Sequence, residues 1–96
     1  MDREETIRRI DNIIRVLSHL DSTDEINSEE RLKLKNEVDK EDRLKLASLL
    51  EDMVILLRDD PDNKNKIKEI WNKIMHGYGH IKPISEILES MKKYFL

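Results

Sequence analysis

Apolar residues recur at helical spacing along almost the whole chain, and they are densest over residues 43–58, RLKLASLLEDMVILLR. No Gly or Pro interrupts that run. On a wheel of about 100° per residue, Leu46, Ala47, Leu49, Leu50, Met53, Val54, Leu56 and Leu57 fall on one arc of about 180°. Lys45, Ser48, Glu51, Asp52 and Arg58 fill the other side. Leu44 and Ile55 land together within that polar side, eleven residues apart. The pattern predicts one wide core-facing side and a second, narrow apolar stripe. Leu44 and Ile55 are therefore candidate partner-binding residues, for a second copy or another protein, unless the segment before them folds back over them.

The other segments follow the same rule. Residues 3–20 are expected to be a helix with Asp2 as N-cap, its Ile7, Ile10, Ile13, Ile14, Val16, Leu17 and Leu20 covering a half-circle. Residues 21–27 read as a polar connection, in which Ser22 with Glu25, or Asn27 with Glu30, makes a capping-box-like start. Residues 28–38 carry only Leu32, Leu34 and Val38, and Arg31 to Lys35 alternates with a period of two. A hairpin with the similar stretch at Arg43 to Leu46 is the alternative there. Leu and Lys favour helix, and no Gly marks a turn, so a helix is expected, with a break at residues 39–41. Asp60-Pro61 predicts a helix restart, with Asp as cap and Pro at the first helical position. That helix is expected to reach His76, with Ile67, Ile70, Trp71, Ile74 and Met75 on one face and Trp71 as a core anchor. Gly77 is then expected in the left-handed conformation as its stop. From Pro83 onward Ile84, Ile87, Leu88, Met91, Tyr94 and Phe95 make a stripe of about 120°. The predicted architecture is all-α: a small four- to five-helix up-and-down antiparallel bundle. Its expected core is Ile7, Ile10, Ile14, Leu17, Leu46, Leu49, Leu50, Met53, Leu57, Ile67, Ile70, Trp71, Ile74, Ile84, Leu88 and Met91.

Composition narrows the function classes. Ninety-six residues suit one domain, 1–96, which buries only about 60–65% of its unfolded surface. Charged residues reach 41% and aromatics 4%, so the regular apolar spacing is what argues for a folded chain rather than a disordered one. With no Cys, disulfides, iron–sulfur ligation and thiol chemistry are excluded. The absence of Gln beside abundant Glu, Lys, Arg and Ile points to a thermophilic source. No signal peptide, lipidation motif or 18-residue apolar run is present, so a cytoplasmic location is expected.

The net charge of −3 is unevenly spread. Residues 21–42 hold nine acids and four bases, net −5, and residues 63–96 hold seven Lys and three Glu, net +4. Lys64, Lys66, Lys68, Lys73, Lys92 and Lys93 are therefore candidate nucleic-acid contacts, against the plainer reading of solvated helix faces. Chemistry is harder to place. His76 and His80 are four apart, but Gly77 and Gly79 lie between them and no acidic cluster is near, so no metal or other cofactor is expected. No phosphate loop, nucleophile elbow, dinucleotide motif or HExxH occurs.

Two short stretches carry family resemblances. Asn72, His76 and Tyr78 resemble the RNxxxHxY signature of HEPN-domain ribonucleases, which are all-helical dimers; Trp71 stands where that family has Arg. The resemblance implies a degenerate ribonuclease relative in which His76 would be the critical residue. The C-terminal segment from Leu88 to Leu96 resembles a sliding-clamp-binding PIP box, with Met91 aliphatic, Tyr94 and Phe95 aromatic, and Leu88 in place of the leading Gln. This implies that Met91, Tyr94 and Phe95 bind a partner, although the same residues also suit the core. Taken together, these features lead to the expectation of a non-catalytic accessory or adaptor subunit, monomer or homodimer. It would contact protein partners, such as a polymerase or sliding-clamp-type complex, in nucleic-acid-handling machinery. Direct nucleic-acid binding is the alternative.

Overall fold

A computed structural model describes residues 2–19 and 29–94. Five α-helices and a final 3-10 turn account for nearly all of them, and there is no strand among the described residues. The helices are α1 (Arg3–Ser18), α2 (Glu29–Glu37), α3 (Lys40–Asp59), α4 (Lys64–Tyr78) and α5 (Lys82–Met91), and the turn covers Lys92–Tyr94. Leu20, the connection with its two capping-box candidates, and Phe95 lie outside the described residues.

Local chemistry sets most of the helix ends. The Asp2 carboxylate accepts from the Glu5 amide at 2.8 Å, which starts α1. The Thr6 hydroxyl, fully buried, donates to the Asp2 carbonyl at 3.0 Å and lies 3.4 Å from the Tyr94 hydroxyl. Between α3 and α4 the expected restart at Asp60-Pro61 is corrected. Asp60 caps the end of α3, its amide donating to the Leu56 carbonyl at 2.9 Å. Asn63 caps α4 instead, its side-chain oxygen accepting from the Lys66 amide at 3.3 Å while its amide nitrogen donates to Asp60 at 3.0 Å. An Asx side chain three residues before a free amide competes for the same role wherever it falls, and the link closes best with Asn63 in that position.

The helices pack as an antiparallel ring, with α1 on α3, α3 on α4, α4 on α5, and α5 back on α1. Arg58 at the end of α3 meets Asp11 at 3.1 Å and shares a cleft with Arg3, Glu4 and Ile7 at the start of α1, so these two helices run in opposite directions. Arg9 meets Glu86 at 3.4 Å across α1 and α5. These pairs are exposed and contribute little energy; they mark the register. The stability comes from the apolar interior, where Ile10, Leu46, Met53, Leu57, Ile67 and Ile81 are sealed from solvent.

Helix α2 lies against α1 and α5; Leu34 within it and Val38 just past its end, four residues on, are both buried. The alternating stretch is thus a helix and not a strand. Its position also leaves the outward side of α3 bare.

Gly77 is not a left-handed stop. No glycine has positive φ, and α4 continues through Gly77 to Tyr78. A Cβ at Gly77 would meet nothing within 4 Å, whereas one at Gly79 would approach Met75 Sδ at 2.5 Å and the Met75 carbonyl at 2.6 Å. Gly77→Ala is therefore expected to stabilise the fold by about 0.5–1 kcal/mol, and Gly79→Ala to destabilise it. Thermal unfolding of the two variants side by side checks this; a destabilised Gly77→Ala would contradict the helical assignment.

Candidate docking surface on α3 and α4

The outer side of α3 presents what its wheel implies. Eleven residues are three turns plus about 20°, so Leu44 and Ile55 share a side, about 16.5 Å apart along the axis. Leu44 is 80% exposed and Ile55 56% exposed. The fold-back of α2 that would have covered them does not occur. Ile55 also borders a groove of about 350 Å³ between α3 and α4. Leu49, Leu56 and Ile70 make its apolar lining, Asp52 lies on the α3 side, and Lys66, Glu69 and Lys73 lie on the α4 side. Lys73 is 3.6 Å from Glu69. Leu49 and Ile70, expected in the core, stand half-buried at its edge. They occupy the margins of their helices' apolar arcs, where the neighbouring helix does not reach far enough to close over them.

The C-terminal candidates are placed differently. Met91 is 1% exposed and belongs to the core. Tyr94 is half-buried beside Thr6, with Lys93 Nζ 5.3 Å from its ring centre. Met91 and Tyr94 therefore serve α5 packing here, and a partner's pocket could take them only if this end left the bundle.

The six candidate lysines do not form one stripe. On the α4 wheel, Lys66 and Lys73 lie on the groove side, while Lys64 and Lys68 lie about 160–200° away. Lys92 is engaged with Glu89 at 2.8 Å. Asn72 and His76 are exposed on the outside of α4, whereas Tyr78 is half-buried on its inner side. Burial first, then the charge and hydrogen bond of Asp42, raise the Tyr78 phenol above its ordinary pKa. The three residues of the ribonuclease-like motif thus do not converge. No group of three His, Cys, Asp or Glu side chains among the described residues could hold a metal ion. A second cleft, of about 310 Å³, is lined by Arg3, Glu4, Ile7, Arg8, Asp11 and Arg58; it mixes both signs of charge, and Arg58 is already paired with Asp11.

No helix among the described residues is long and apolar enough to cross a membrane. Comparison with known proteins returns no match, whether to a family model, a curated protein or a solved structure.

Proposed function

We propose that this chain works by contact, as a small helical accessory subunit that docks other protein through the α3–α4 face. The observation that supports this most is the exposure of Leu44 and Ile55 on one stripe beside the groove lined by Leu49, Leu56 and Ile70. An apolar patch of this kind does nothing for the stability of the isolated bundle, and burying a Leu or Ile side chain in an interface is worth about 1.5–3 kcal/mol. The basic C-terminal half supports a nucleic-acid-handling setting for the assembly. The division of its lysines between two sides of α4 favours protein contact over direct nucleic-acid binding.

The double variant Leu44→Lys/Ile55→Lys tests the reading. Both side chains are exposed, so the unfolding midpoint should hold, within the roughly 0.5 kcal/mol typical of surface changes. Proteins captured from the native source by the tagged wild type should be lost by the variant. A midpoint that collapses would make the stripe structural, and an unchanged set of captured proteins would refute the docking role.

A further inference from the structure

We infer that α2 is a releasable strap: it lifts off the seam between α1 and α5 as one unit, hinged at Val38 and Asp39, while the other four helices stay folded. The docking face uses α3 and α4, so the strap stands or falls independently of it.

The ring of helices closes without α2. Helix α1 packs on α3, α3 on α4, α4 on α5, and α5 on α1. Helix α2 lies against both α1 and α5, over a seam that these two already make with each other. Arg9 with Glu86 spans that seam, and the Thr6 and Tyr94 hydroxyls meet just past the end of α5. Release of α2 uncovers apolar surface along the seam and leaves the ring's own contacts in place.

The attachment of α2 is thin. It has nine residues, fewer than the roughly 12–15 that an isolated helix needs to hold its shape in water. It therefore depends on packing. Among the side chains described from Leu32 to Val38, Leu34 and Val38 are buried, while Lys35, Asn36 and Glu37 are exposed. Leu32 lies about 200° around the helix from Leu34 and is 52% exposed, so it adds nothing to the grip. Burying two aliphatic side chains favours the closed state by a factor of about 10²–10⁴. A whole domain is favoured by about 10⁴–10¹¹. Opening of α2 is thus reached before global unfolding, as for a local cooperative unit.

The hinge is built to allow this. Asp39 is extended, with φ −79° excluded in favour of −65° and ψ 155°, and it caps α3 without a side-chain hydrogen bond. Rotation ahead of it breaks no side-chain cap. Arg43 Nε donates to the Val38 carbonyl at 3.4 Å, a long bond that holds the hinge only weakly. The first turn of α3 is tied to the ring from the other side, where the Tyr78 hydroxyl donates to the Asp42 carboxylate. The start of α3 therefore stays docked when α2 leaves.

Native-state hydrogen exchange on the full chain is the test. The amides of residues 33–38 should exchange together, through one opening, at least about a hundredfold faster than those of Leu50 and Met53. Leu34→Asp puts a carboxylate where α2 packs and should hold the strap open. Far-UV circular dichroism should then lose about the signal of the nine residues of α2. Residues 33–38 should lose protection, while Leu50 and Met53 keep a protection factor of about a thousand or more. Equal protection of α2 and α3 in the wild type overturns the strap. Rates graded toward one end of α2 also overturn it, since they mark fraying rather than release. So does a Leu34→Asp chain that keeps α2 protected, or one that loses protection in α3, because the ring would then need α2.

Discussion

Leu57→Ala is expected to lower the stability of this protein by about 2–5 kcal/mol. Leu57 is fully buried near the end of α3, the helix that packs on both α1 and α4. Truncation removes transfer free energy and leaves a cavity that three helices cannot collapse around without moving. A domain of this size has about 5–15 kcal/mol in total, so the loss is a large share of it. At roughly 4–8 °C per kcal/mol, the unfolding midpoint should fall by about 8–40 °C. Thermal unfolding followed by circular dichroism measures this, and Leu50→Ala, at a site 2% exposed, should behave alike. A loss below about 1 kcal/mol at both sites would mean that α3 is not the centre of the core.

Trp71→Ala should cost a comparable amount, about 3–5 kcal/mol, for two separable reasons. The indole packs, half-buried, against the core between α4 and α5. Its Nε1–H also donates to the Leu88 carbonyl at 2.8 Å. Leu88 lies in the last turn of α5, where carbonyls lose their helical donors, and the Lys92 amide goes to Glu89 instead. The indole therefore supplies a donor that the helix itself does not. Trp71→Phe keeps a ring and removes the donor, so it should cost about 1–3 kcal/mol, the typical cost of leaving one partner unsatisfied. Equal losses for Phe and Ala would assign the whole effect to the hydrogen bond. No loss for Phe would show that water replaces the indole at Leu88.

The candidate surface was legible only in part. Leu44 and Ile55 stood out because a wheel places two large apolar residues among acids, and their exposure agrees with that reading. The groove beside them did not stand out. Leu49, Leu56 and Ile70 fit their apolar arcs as well as any core residue, and periodicity does not say where the next helix ends its cover. Ile13, Val54, Ile81 and Ile87 show the converse: they are buried but were not expected to be central. Met91 matched both a core stripe and a partner-binding pattern, and only packing separated them.

The all-α class, the five helical segments, the Asp2 cap, and the apolar face of α1, α3, α4 and α5 follow from the order of residues alone. These are local properties: hydrophobic period, capping side chains and helix propensity act within a few residues of each other. Packing between the helices settles the rest, and the tertiary structure carries it. It placed α2 on α1 and α5 and buried Leu34 and Val38, which are too few to make a period. It moved the α4 cap from Asp60 to Asn63, because the length of the link between packed helices selects among equivalent caps. It carried α4 through Gly77, since packing along the helix outweighs a propensity penalty of about 1 kcal/mol. And it left Leu44 and Ile55 of α3 exposed, because each helix is covered according to where all the others lie, which no single stretch of residues encodes.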